Sequence, residues 1–225
     1  MTIMSFSIHL EDWRGWIAAE ATPTPDPRHR ISAQPGNDLP AMLRRRLDSA
    51  GRATCEILAA LDPGSDFPLV HASRHGDTTR SLAMLEALQR GEPISPTHFS
   101  MSVHNALLGV HSIARQHHRP IQALGACGDE FDAILAEAKG YLVEGYQAVI
   151  AVFSECVLAS AYHGCTEHPG IPCAVGLRLT LNTGQPLLSS DPAHPTHPTP
   201  LEVISWLNGD SPYLEGRRRW ELGTT

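Results

Sequence analysis

An α/β fold, a sheet covered by helices, is predicted by two successive strand and helix units and by a later β-rich stretch. The first unit joins the apolar FPLVHAS to the helical RHGDTTRSLAMLEALQRGE. The second runs from RPIQALGAC through GDEFDAILAEAKGYLVEG to the strongly apolar YQAVIAVFSE. This alternation predicts a parallel sheet, because parallel neighbours need a crossover connection that is most simply a helix. With 225 residues, 42% of them hydrophobic and 18% charged, the chain has enough apolar surface to offset ordering entropy. One domain over 1–225 is the expectation.

Taken in order, FSIHLEDWRGWIA alternates apolar and polar residues at Phe6, Ile8 and Leu10, a period of two that suits a half-buried strand with Trp13 and Trp16 packed nearby. Residues 22–40 are rich in Pro and polar side chains and are expected to form a loop without a helix. From Ala41 to Leu61 apolar residues recur near helical spacing, while Arg44, Arg45, Arg46 and Arg52 fall mostly elsewhere on the wheel. A solvated basic face, or one that docks an acidic partner such as a carrier protein, follows. Asp62-Pro63-Gly64 ends this helix, and Leu82, Leu85 and Leu88 mark the apolar side of the helix after FPLVHAS. Beyond Glu155, PCAVGLRLTLN reads as a further strand, residues 189–200 as a Pro-rich connector, LEVISWLNG as a short amphipathic helix and RRRWELGTT as a polar end.

Composition excludes several function classes. A formal charge of −7 with few runs of Lys or Arg argues against nucleic acid, which requires clustered cations to displace counterions. No apolar run approaches the roughly 20 residues that span a bilayer, and the start lacks a basic region followed by a long apolar stretch. A cytoplasmic protein is expected. Cys55, Cys127, Cys156, Cys165 and Cys173 form an odd set, read as free thiols. Cys156, His163, Cys165, His168 and Cys173 are the one group with metal-ligand chemistry, but their spacings match no compact zinc pattern, so neither a metal nor a cofactor is expected.

The segment ISPTHFSMSVHNALLGVHSIARQHHRPIQALGACGDEFDAILAEAKGYLVEGYQAVIAVFSE resembles the N-terminal half of β-ketoacyl synthases, members of the thiolase-fold superfamily. Further matches at SFSIHLEDWRGW, SRHGDTTRSLAMLEAL and the terminal RRRW resemble a short subfamily, of the kind that serves as the chain-length-factor partner of aryl polyene ketosynthases. The resemblance implies a thiolase-like half: a layered, mixed sheet with helices on both faces. In that family a helix containing an Asn precedes a Pro-led strand, and the nucleophilic cysteine sits at the turn into a long helix. Asn105, Pro120, the strand around Leu124 and the helix after Gly128 match these parts. Counting without gaps from Pro120 to Glu137-Ala138 aligns Gly128 with the nucleophile and leaves Cys127 one residue early.

A thiolate attacking an acyl thioester must be aimed at it, and one residue along a strand reverses a side chain's direction. Cys127 is therefore expected to point away from the acyl site unless a bulge redirects it. Asp129 and Glu130 disfavour a neighbouring thiolate and suit the first turn of a helix, where capping is their expected role. The resemblance implies no catalytic residue in this chain and a seam or acyl tunnel near Phe99, Val103, His104, Asn105 and Phe131. It implies pairing with a ketosynthase subunit, with an acyl carrier protein as a further partner. Two alternatives stay open: a Cys127-dependent acyl transferase or hydrolase using a histidine such as His104, and a homodimeric module that binds acyl carrier protein.

Overall fold

The computed structural model describes residues 7–18 and 26–224. Strand β1 (His9–Ile17) buries Leu10, Trp13 and Trp16, with an irregularity between Leu10 and Asp12 where the register shifts. Phe6, which the alternation assigns to this strand, lies outside the described residues, as do 22–25 of the Pro-rich stretch. Residues 26–40 contain no helix. The single helix expected over 41–61 is divided into α1 (Ala41–Arg44) and α2 (Ser49–Leu61). Asp48 causes the division: its carboxylate accepts the Gly51 N–H at 2.7 Å and starts a new helix.

Strand β2 (Leu69–Ala72) is buried throughout and leads to α3 (Thr78–Gln89), capped by Asp77. The apolar side of α3 is not covered: no residue of this helix is buried, and Leu85 and Leu88 are 57% and 56% exposed. Helices α4 (Pro96–Ser100) and α5 (Ala106–Arg115) follow, then β3 (Ile121–Leu124), α6 (Glu130–Val143) and β4 (Val149–Glu155). Residues 156–172 form one 3-10 turn at Ser160–Tyr162 before β5 (Cys173–Thr180). Strand β6 (Gln185–Ser190), α7 (Pro200–Asn208), β7 (Leu214–Glu215) and β8 (Arg219–Leu222) complete the order. The expected polar end is thus a strand: Trp220 is buried, edge-on to Phe131 with ring centroids 6.2 Å apart.

The sheet runs β3-β2-β4-β5-β1-β6-β8-β7. The parallel sheet expected from the alternation exists only in β3, β2 and β4; every other pair is antiparallel. The β2-to-β3 and β3-to-β4 links contain helices, as parallel neighbours require, whereas β5 and β6, joined by residues 181–184, are not neighbours: β1 lies between them and is antiparallel to both. The result is the mixed, layered α/β sheet that the family resemblance implies.

Strand β4 shows why the apolar run YQAVIAVFSE is continuous rather than alternating. Val149, Ala151 and Phe153 pack into the core with α6 and α7, while Ile150 and Val152 pack with α2 and α5 on the other face. Alpha-helix α2 lies so close to the sheet that a Cβ at Gly176 would collide with the Ile57 side chain. Glycine is required there by space, not by backbone conformation.

Candidate functional site

The chain leaving β2 reaches α5, which packs with α2, whereas the chain leaving β3 enters α6 on the opposite face. Adjacent parallel strands whose connections diverge in this way open a crevice at their carboxyl ends, the usual place for a ligand in an α/β sheet. Ser73, Arg74 and Gly125 to Gly128 lie there, just past the ends of β2 and β3, with Glu155 as the last residue of β4.

The turn into α6 is built around a buried carboxylate. Glu130 accepts the N–H groups of Gly128 at 3.0 Å and Ala126 at 3.2 Å, and pairs with Arg74 Nε at 3.1 Å. Burial alone would raise its carboxyl; the Gly128 N–H and the Arg74 guanidinium outweigh burial and hold it below the ordinary glutamate range. Neither carboxylate takes the expected capping role: Asp129, at the cap position, makes no side-chain cap bond, and Glu130 accepts from loop N–H groups that precede the helix. Arg74 Nη2 also donates to the carbonyls of Gly128, His197 and Pro198. Its own N–H binds Glu155, which Ser73 Oγ contacts at 3.3 Å. Burial pushes the Glu155 carboxyl up to about 7, against the N–H bonds from Arg74 and His75, and the charge of Glu130 adds to the rise.

Gly128 has φ +117° and Cys127 has φ +52°. A Cβ at Gly128 would meet the His197 ring, with Cγ at 2.7 Å and Cε1 at 2.9 Å. The 191–199 connector therefore fills the space that a side chain at residue 128 would need. His197 Nδ1 lies 3.8 Å from Asp129, which also faces Arg217 at 3.5 Å. Cys127 is exposed and sits in a loop past the end of β3, so strand alternation does not fix its direction. Among the described residues it has no hydrogen bond to a histidine. His104 donates from Nε2 to the Ser73 carbonyl at 3.1 Å.

The remaining cysteines differ in access. Burial pushes the Cys55 thiol up to about 12, raises Cys173, and raises Cys156 with help from the Asp48 charge. Iodoacetamide is expected to modify exposed Cys127 and Cys165 on the order of ten times faster than Cys55 and Cys173 in the folded chain. Peptide mass spectrometry reads the outcome; comparable rates at Cys55 would show that α2 does not protect it. His163 and His168 stack, with centroids 5.3 Å apart, but among the described residues no three His, Cys, Asp or Glu side chains converge on a metal position.

The residues expected near a seam or tunnel are separated by the fold. Val103 and His104 line a small cavity of about 60 Å³ together with Leu47, His71, Met101 and Leu107. Phe99 is 66% exposed on α4. Asn105 is exposed at the start of α5 and makes no side-chain cap bond. Phe131 is buried in the core, edge-on to Trp206 and Trp220. Arg74, Glu155, His197 and His71 were not singled out by sequence reasoning; the neighbouring His75 bonds the Glu167 carbonyl at 2.9 Å.

The profile of the β-ketoacyl synthase N-terminal domain matches residues 13–204. The chain belongs to this family. A chain in the solved structure of a ketosynthase (ApeO) in complex with its chain length factor (ApeC), from Xenorhabdus doucetiae, superposes with a TM-score of 0.78 at 26% identity. That match covers 98% of this β-ketoacyl synthase-like chain and 100% of the other. A β-ketoacyl synthase from Burkholderia phymatum STM815 matches at TM-score 0.59 and 14% identity, over 92% of this chain and 70% of that one. The ishigamide ketosynthase/chain length factor matches at TM-score 0.55 and 11% identity, over 82% and 67%. These two show the fold alone. No curated protein sequence matches significantly. Among the described residues no helix is long and apolar enough to cross a membrane.

Proposed function

We propose that this chain is a non-catalytic subunit of chain-length-factor type that pairs with an active β-ketoacyl-ACP synthase in polyketide, aryl polyene or fatty-acid-like biosynthesis. One observation carries the reading: a Cβ at Gly128, the position that the count from Pro120 aligns with the family's nucleophile, would meet the His197 ring. The turn is held by an internal salt bridge between Arg74 and Glu130. The ketosynthase and chain length factor complex, one chain of which this chain spans from end to end, supports a role as one subunit of such a pair.

The surface supports a partner. Strand β3 is at the end of the sheet, with β2 as its one neighbour, so its outer edge presents backbone groups that another chain can pair. Leu85, Leu88, Phe99 and Val103 are exposed on or beside α3 and α4, and apolar surface of this kind is costly in water unless covered. A seam along β3, α4 and the start of α5 would bring Phe99, Val103, His104 and Asn105 to the partner, with an acyl carrier protein visiting the assembled pair in the cytoplasm. Phe131 would support the elbow from behind, within the core.

Co-expression with the ketosynthase encoded nearest its gene tests the proposal. A stable one-to-one complex is expected, and Phe99→Asp is expected to weaken it on the order of tenfold or more without unfolding the chain, since Phe99 is exposed. A homodimer that never captures the ketosynthase would overturn the reading.

A further inference from the structure

We infer that the arginine corner formed by α1, the turn after it and the start of α2 docks an acidic helix of a partner protein, with Arg44, Arg45, Arg46 and Arg52 binding its carboxylates. None of the four lies on β3, α4 or α5, so the inference does not depend on pairing with a ketosynthase. It decides between the two readings of the basic face, solvated or docking, that the sequence leaves open.

The fold gathers these residues. Arg52 Nε donates to the Arg44 carbonyl at 3.2 Å, which brings the first turn of α2 back against the end of α1. Arg80 on α3 donates to the Arg46 carbonyl at 3.1 Å and ties the intervening turn from a third element. Arg44, Arg45 and Arg46 are consecutive, so their Cα atoms lie within about 8 Å of one another.

The carboxylates around the corner are committed elsewhere. Asp48 accepts the Gly51 N–H at 2.7 Å, and Glu56 accepts the N–H groups of Ser32 at 3.0 Å and Gly36 at 2.8 Å. Asp77 pairs with Arg80 at 2.7 Å, and Asp38 with Arg115 at 3.7 Å. Among the described residues no carboxylate comes within ion-pair distance of the four arginines; the Arg44 guanidinium meets the Asn37 amide oxygen at 3.4 Å. The chain carries 24 acidic residues against 17 basic ones, so carboxylates are not scarce. Four like charges between residues 44 and 52 repel one another, and carboxylates from outside relieve that repulsion.

Chemistry and size select the partner. A planar guanidinium binds a carboxylate through two parallel hydrogen bonds. Arg45 and Arg46 are exposed, and so is Met42, at 75%; arginine and methionine are both enriched at protein interfaces, where the flexible thioether adapts to its neighbour. A helix with Glu at i, i+4 and i+8 presents carboxylates over roughly 12 Å of its length, within reach of long side chains fanning from so short a stretch of backbone. Nucleic acid and an anionic membrane extend far beyond the corner, where they meet a chain of net charge −7 that repels an extended polyanion.

Titration of the labelled full-length chain tests the site, using a capped helical peptide of about three turns with that spacing of Glu, and the same peptide with Gln in its place. The acidic peptide is expected to shift the Nε–H signals of Arg44, Arg45, Arg46 and Arg52 and the Met42 methyl, less so as salt is raised. The Gln peptide should leave them in place. Arg45→Glu is expected to weaken binding about tenfold, and Arg218→Glu, the same change of charge at an exposed arginine beside β8, less than about twofold. Urea unfolding should be unchanged in both variants, since both side chains are exposed. No shift with the acidic peptide, an equal response to the Gln peptide or an equal loss in Arg218→Glu would each overturn the inference. So would tighter binding of an oligothymidylate or of phosphatidylglycerol vesicles than of the acidic peptide.

Discussion

Arg74→Ala is expected to lower folding stability by about 3–5 kcal/mol, because it strands a buried charge. The Glu130 side chain has no solvent exposure and that of Arg74 is 11% exposed, so water cannot replace the lost guanidinium. Glu130 would keep the N–H groups of Ala126 and Gly128. The carbonyls of His197 and Pro198 would lose the donor that ties the connector to the elbow. The pH dependence has a definite sign. In the wild type Glu130 titrates below the ordinary range, so its stabilising contribution is present above that range and fades as pH falls through the lowered value. Without Arg74, burial dominates and the carboxyl rises, so the variant is penalised as pH increases. The gap between variant and wild type should therefore narrow in mild acid. Urea unfolding near neutrality and in mild acid measures both effects. Arg74→Met with Glu130→Gln should recover most of the loss, since no unpaired charge remains. A single-variant loss below about 1 kcal/mol would place the pair in the weak class of exposed ion pairs.

Elements set by local pattern were legible in the sequence. Strand β4 and the apolar faces of α2 and α6 follow from periodicity, because their cores lie on the same elements as the pattern that reveals them. The division of 41–61 had a signal as well, in Asp48-Ser49 preceding a second helical run, but periodicity alone runs through the break. Strand β8 was hidden because a four-residue strand among arginines carries too few apolar positions, although Trp220 supplies the contact that anchors it. For α3 the pattern was present and the burial was not. A leucine stripe reports that something covers the helix, and only the fold shows that this chain does not.

The site divides in the same way. The position of the elbow could be counted from Pro120, because strand, turn and helix are consecutive. What holds the elbow could not. Arg74 meets Glu130 across 56 residues and the His197 carbonyl across 123, and no local spacing encodes either contact. His71 was equally hidden, as a lone polar residue in a four-residue strand that tertiary packing turns toward a cavity.

Placing a thiol at residue 128, where the count from Pro120 puts the family's nucleophile, should fail, and the way it fails tests the proposed function. Gly128→Cys places a side chain where φ is +117° and where Cβ would lie within 3 Å of the His197 ring. Backbone strain and overpacking together predict a loss of about 2–5 kcal/mol, which corresponds to a fall in Tm on the order of 5–15 °C for a chain of this length. To clear the clash the His197 ring has to rotate away from Asp129, which its Nδ1 faces, while Arg74 keeps the connector's backbone in place through the His197 carbonyl at 3.2 Å. His197→Gly added to Gly128→Cys should relieve the clash and return part of the stability, though not the share due to backbone strain. Even then the thiol would sit beside Asp129 and the buried carboxylate of Glu130, and both disfavour a thiolate that the positive end of α6 would otherwise favour. Neither variant is expected to take up an acyl group from an acyl thioester, as followed by intact-protein mass spectrometry. A Gly128→Cys chain as stable as the wild type and acylated stoichiometrically at residue 128 would mean that the elbow is still aimed at a substrate, and that this subunit is one residue away from being an enzyme.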